Sequence, residues 1–102
     1  MGRFKQNNKF LDYIFSNEKK MADSTIGSPE RWLKVIIETY KAAKEEKLQI
    51  AEVASRRFRK KEFYIYTCIT MGISPAKYYR LLSIFFKIAE KKIEKIFSNS
   101  EK

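Results

Sequence analysis

Residues that interrupt helices are scarce in this 102-residue chain, which has only three glycines and two prolines. None of them lies between Glu30 and Met71, and such a stretch favours helices over a turn-rich β fold. A single helix over residues 30–71 would be about 60 Å long, more than a small domain can cover. We therefore expect an all-α fold in which this stretch breaks at residues 44–47, with the basic run at 56–61 as a second candidate.

The spacing of apolar residues predicts two helices in the first half of the chain. The first covers roughly residues 8–22, with Asn7 or Asn8 as its N-cap, and a linker follows at 23–27. Ser28-Pro29 starts the second helix, because serine is a good N-cap and proline suits the first helical position. This helix is expected to bury one apolar stripe, formed by Leu33, Ile36, Ile37, Tyr40 and Ala43.

The last third of the chain reads as a short helix, a tight turn and a long final helix. The short helix covers residues 62–70 and ends at Met71-Gly72, where glycine suits the left-handed closing position. Ser74-Pro75 starts the last helix, which reaches about residue 97. We expect an N-terminal helix and linker at 1–27 and a helical domain at 28–102, with a helix-turn-helix at about 62–97.

The residue types in this motif fit a helix-turn-helix, in which two helices cross steeply over a short turn that often contains glycine. Cys68 supplies a small residue where the helices touch, and Tyr78 and Leu81 are expected to point inward. Thr67 departs from the pattern, since an apolar residue is more usual there. An ordinary helical hairpin is the alternative interpretation.

The net charge of +10 and a pI near 9.8 indicate a polyanionic partner, such as nucleic acid or an anionic membrane surface. A lysine-rich soluble surface is the simpler explanation of the total. The distribution is more informative, because residues 55–80 carry +6 and only Glu62 opposes seven cations there. A solvated helical face usually mixes charges of both signs, so this segment favours nucleic acid.

If the motif binds double-stranded DNA, the first turns of its second helix enter the major groove. Arg80 has the forked geometry that reads a guanine edge. The predicted base and groove contacts are Ser74, Ala76, Lys77, Tyr79 and Arg80. Upstream lies a run that we term the basic strip, expected to hold phosphates from solvent while Phe58 anchors it to the core. Its cations are Arg56, Arg57, Arg59, Lys60 and Lys61. RNA is an alternative ligand, since arginine-rich segments bind it by folding on contact.

The segment from Gly72 to Arg80, Gly-Ile-Ser-Pro-Ala-Lys-Tyr-Tyr-Arg, is followed by Phe-Lys-Ile-Ala-Glu at 86–90. It resembles the C-terminus of phage late-gene transcriptional regulators of the ArpU, RinA and LtrC type. The resemblance covers about 35 residues, from 62 to 96, and implies a sigma-factor-like helix-turn-helix that regulates transcription in a phage or mobile genetic element. It places Ser74, Lys77, Tyr79 and Arg80 on DNA. A short relative of this group could instead be a modulator that binds a phage regulator.

The last helix carries an apolar stripe at 4-3-4-3 spacing, which is typical of helix pairing. We predict it as a dimer or partner face, formed by Leu82, Phe86, Ala89, Ile93 and Ile96. This gives the alternative function, a protein-interaction module that binds and modulates a phage transcription regulator through this face. RNA polymerase is a further candidate partner of the DNA-binding regulator. A homodimer fits both functions, because palindromic half-sites mirror a two-fold protein.

Catalysis is disfavoured, because the chain has no histidine, only two aspartates and no phosphate-binding glycine loop. We expect no cofactor and no metal, since one cysteine without histidine cannot form a Cys/His zinc site. The longest uncharged run, residues 63–76, is too short to span a bilayer. Residues 1–20 lack a secretory pattern, so we expect a cytoplasmic protein. The resemblance to phage regulators implies that the cell is a bacterial host. Attachment of the basic amphipathic N-terminus to a membrane surface is a remaining alternative.

Overall fold

A computed structural model describes residues 2–23 and 29–99, and the side chains of 9–20 and 30–98. Within these ranges the chain is a small all-α domain with no strand, as the sequence predicts. Its helices are α1 (Gly2–Ser16), α2 (Glu18–Asp23), α3 (Pro29–Glu46), α4 (Leu48–Ala54), α5 (Tyr64–Met71) and α6 (Pro75–Asn99). A π-helical turn, Ser55–Arg59, continues α4. None of the described helices is both long and apolar enough to cross a bilayer.

The first predicted helix is two helices, and the prediction that it begins at Asn8 is wrong. α1 starts at Gly2, so neither Asn7 nor Asn8 is its cap, and the helix breaks at Asn17. There the side-chain amide of Asn17 donates to the carbonyl of Tyr13 at 2.7 Å. Asparagine competes with helical hydrogen bonding in this way, which explains the break. Most of the predicted linker and the predicted cap Ser28 lie outside the described residues.

The predicted break at 44–47 is confirmed, because α3 ends at Glu46 and α4 begins at Leu48. The α3 stripe needs one correction: Ile37 is 60% exposed. Val35 and Thr39 are buried beside Ile36 and Ala43 instead. The Thr39 hydroxyl donates to the Val35 carbonyl at 2.6 Å, so a polar residue sits in the core without an unsatisfied group.

Aromatic side chains from distant parts of the chain form the centre of the core. The ring of Phe85 in α6 lies 4.9 Å from that of Phe15 in α1 and 5.0 Å from that of Tyr40 in α3. Phe58, from the π-helical turn, packs 5.7 Å from Phe15. Residues 9–20 therefore share one core with the C-terminal helices.

The predicted partner face of α6 must be corrected. Leu82, Phe86 and Ala89 are buried in the chain's own core, against α3, α4 and the π-helical turn. Ile93 and Ile96 are only partly buried. The 4-3-4-3 spacing identified an inward face, but spacing alone cannot tell whether the partner helix belongs to the same molecule.

Candidate nucleic-acid interface

A tight turn sets where α6 begins. Gly72 adopts the left-handed conformation, with φ of 68°, and closes α5. The N–H of Ile73 donates to the carbonyl of Cys68, and the N–H of Gly72 donates to that of Ile69. These two bonds form a Schellman motif. The Ser74 hydroxyl then accepts the backbone N–H of Lys77 at 3.1 Å, so Ser74 caps α6 as predicted.

The inward side of this helix-turn-helix agrees with the sequence prediction. Cys68, Tyr78 and Leu81 are buried. Thr67, the residue that departs from the pattern, is fully buried as well. Its hydroxyl donates to the Glu62 carboxylate at 2.9 Å, which satisfies the polar group that made this position look unsuitable.

The predicted DNA-facing residues lie on the solvent side of the first turns of α6. Ser74, Ala76, Tyr79 and Arg80 are exposed, and Lys77 is partly exposed. Neither Lys77 nor Arg80 forms a side-chain ion pair with any residue of the described ranges. No acidic residue occurs from 63 to 89, so both charges remain available to an external anion.

The expectation that the basic strip stays in solvent is wrong for its first two arginines. Arg56 pairs with Glu52 at 3.0 Å and with Glu62 at 3.1 Å, and its side chain is only 17% exposed. The hydrogen bond to Glu62 is the main cause that raises the pKa of Arg56. Burial opposes ionisation of Glu62, but hydrogen bonds from Thr67 and Arg56 outweigh it and lower the pKa of that carboxyl.

Arg57 is directed into the protein. One terminal nitrogen donates to the Tyr78 hydroxyl at 3.3 Å, and the other lies 3.1 Å from the Asp12 carboxylate. Burial would lower the pKa of Arg57, but these two partners raise it above its ordinary value. Arg57 therefore links α1 to α6. Its main role is structural, and its charge is less available to a phosphate than the sequence predicts.

The remaining cations of the strip differ in their surroundings. Arg59 pairs with Glu18 at 3.2 Å and stacks 3.9 Å above the ring of Tyr40. Burial raises the pKa of the Tyr40 hydroxyl, and the nearby Arg59 charge opposes this shift. Lys61 donates to the carbonyl of Ser16 at 2.6 Å. Lys60 is exposed, and its side chain forms no hydrogen bond or ion pair within the described ranges, so it is the phosphate contact that the structure leaves most accessible.

The strip and α6 meet at a shallow cleft of about 200 Å³. Its lining includes Arg57 and Asp12 together with Tyr79 and Ser83 of α6. The cleft therefore brings Arg57 of the strip next to α6, whereas Lys77 and Arg80 do not line it.

None of the acidic partners that neutralise the strip was predicted. Asp12 and Glu18 are more than 40 residues away in sequence, whereas Glu52 stands four residues before Arg56, a spacing typical of helical ion pairs that could have identified it.

Among the described residues, no group of three or more potential metal ligands comes together. No protein-family model matches the chain, and neither a curated protein nor a solved structure matches it.

Proposed function

We propose that the chain binds double-stranded DNA through the first turns of α6 and acts as a transcriptional regulator. The supporting observation is the exposed surface of Ser74, Ala76, Tyr79 and Arg80, with Lys77 beside it, in a stretch of sequence that contains no acidic residue. Helix N-terminal turns of this kind fit the major groove, with arginine on a base edge and lysine on phosphate. The resemblance of residues 72–90 to phage late-gene regulators supports the extension to phage or mobile-element transcription.

The roles within this site differ from those expected from the sequence. Arg80 reads the base sequence, whereas Lys77 and Lys60 hold the DNA backbone. Arg56 and Arg57 contribute less, because their charges are already compensated by Glu52, Glu62 and Asp12. The alternative, a partner-binding stripe on α6, loses support because three of its five residues are buried.

Selection from a random duplex library, followed by band-shift titration over a salt series, tests this proposal. Arg80→Ala should reduce the preference for the selected sequence by about 1–3 kcal/mol. Lys60→Ala should weaken all duplexes alike and reduce the salt slope by about 0.9. Lys91→Ala is the matched control, since Lys91 is an exposed cation of α6 about 16 Å further along the helix. Failure to select any sequence, or equal losses for Arg80→Ala and Lys91→Ala, would contradict the proposal.

A further inference from the structure

A second surface of the helix-turn-helix has a different chemistry from the DNA-facing turns of α6. We define the α5 outer face as Phe63, Ile65, Tyr66 and Ile69. These side chains are between 47% and 75% exposed. Ile69 lies four residues after Ile65 and three after Tyr66, so it is a neighbour of both on the helix surface, and Phe63 immediately precedes α5.

The α5 outer face is a patch and not a set of scattered residues. α5 contains no charged residue, and its inner side, Thr67 and Cys68, is buried. Nine large apolar side chains are exposed within the described ranges, and four of them come from the seven residues 63–69. Single exposed apolar residues are normal on soluble proteins, whereas contiguous ones mark interaction sites.

Cations border this patch. Lys60 and Lys61 lie three and two residues before Phe63, and Lys77 and Arg80 lie on α6, which packs against α5. The only nearby carboxylate in the sequence is Glu62, which accepts hydrogen bonds from Arg56 and Thr67 and is therefore compensated. The patch is thus an apolar surface within a positive border.

The charge of the border selects the occupant. A second copy placed face to face would bring identical cation sets together, between chains that each carry +10, and like-charge contacts of this kind are costly. A nucleic acid backbone gains little from isoleucine side chains, which offer it no hydrogen-bond donor. An amphipathic helix with acidic flanks matches both the apolar patch and its positive border. Its apolar face covers α5, and its carboxylates form ion pairs with the bordering lysines.

We propose that the α5 outer face is a docking surface for an acidic, amphipathic helical segment of another protein. The contact area is small, so the complex is transient and weak. The apolar side chains of this surface are not among the DNA-facing residues, but its bordering cations Lys60, Lys77 and Arg80 are, so the acidic segment and DNA are expected to compete for the protein.

The test uses a synthetic fluorescent peptide of about four helical turns, with leucines on one face and glutamates elsewhere. We expect this peptide to bind the full chain in anisotropy titrations. The double variant Ile65→Ser/Ile69→Ser should weaken binding by at least about tenfold, equivalent to about 1.4 kcal/mol. The matched control is Ile37→Ser/Leu48→Ser, which removes two apolar side chains that are 60% and 65% exposed on α3 and α4. Circular dichroism checks that each variant is folded.

Three results would overturn the inference. The first is equal binding of a scrambled peptide that has no apolar face, or no binding of the designed peptide. The second is self-association in sedimentation that Ile65→Ser/Ile69→Ser abolishes, because the occupant would then be a second copy. The third is a tenfold loss of DNA affinity in the same double variant, which would assign the patch to DNA. Peptide binding is measured without DNA. A chain that selects no DNA sequence can therefore still bind the peptide, and the two proposals fail separately.

Discussion

The basic strip and the first turns of α6 are both rich in cations, but their side chains have opposite surroundings. In the strip, Arg56, Arg57 and Arg59 form ion pairs with carboxylates from α1, α2 and α4 and with that of Glu62. In α6, Lys77 and Arg80 face solvent without a carboxylate partner in the described ranges. The comparison shows that a dense run of positive residues can be largely structural, whereas two isolated cations form the available surface.

The largest effect that distinguishes the two regions is expected from Arg57→Ala. Removing the guanidinium leaves the hydroxyl of the buried Tyr78 and the Asp12 carboxylate without their partner. The free energy of unfolding should fall by about 2 kcal/mol. Arg80→Ala should change it by less than about 0.5 kcal/mol, as surface substitutions usually do. Urea unfolding of both variants measures this difference, and equal losses would show that the strip is no more structural than α6.

A pH titration should give the next largest difference. The pKa of Glu62 is lowered in the folded protein by Thr67 and Arg56. Its contribution to stability is therefore complete above the ordinary carboxyl pKa and is lost as the pH falls through the lowered folded value. We expect the stability difference between the wild type and Glu62→Gln to shrink below about pH 4.3. Unfolding measured from pH 7 to pH 3 tests this, and a difference that stays constant would show that the carboxyl is not held by its partners.

The smallest effect is expected at Ser74. Among the predicted DNA-facing residues, it is the one whose side chain forms a hydrogen bond within the described ranges, to the backbone N–H of Lys77. Ser74→Ala removes the cap on the Lys77 N–H and should cost about 1 kcal/mol of stability. Ser74→Asp retains a capping oxygen and should recover most of that loss. Thermal unfolding distinguishes the two variants. If both lose stability equally, the cap contributes little.

Local signals in the sequence predicted much of the fold. Gly72 and the two Ser-Pro pairs marked helix ends, and the polar residues 44–47 marked the break that the structure confirms. The basic run at 56–61, the second candidate for a break, overlaps the turn that the structure places at residues 60–63. The conformation of that turn had no signal, because Lys61 adopts a left-handed φ of 57° at a position without glycine. Which arginines would be paired was equally hidden, since Asp12 and Glu18 reach the strip across more than 40 residues of sequence.

The hydrogen bond between Arg57 and Tyr78 has a consequence for the orientation of α6. Tyr78 has its ring in the core and its hydroxyl fixed by a side chain that is itself held by α1. Together with the buried apolar residues of α6, this hydrogen bond fixes the rotation of the helix about its own axis, and that rotation decides on which side Arg80 emerges. The N-terminal helix is remote from the turn, but it therefore helps to orient the DNA-facing residues of α6. Residues 62–99 grafted alone onto another scaffold would keep the sequence of the motif but lose the contact that orients α6.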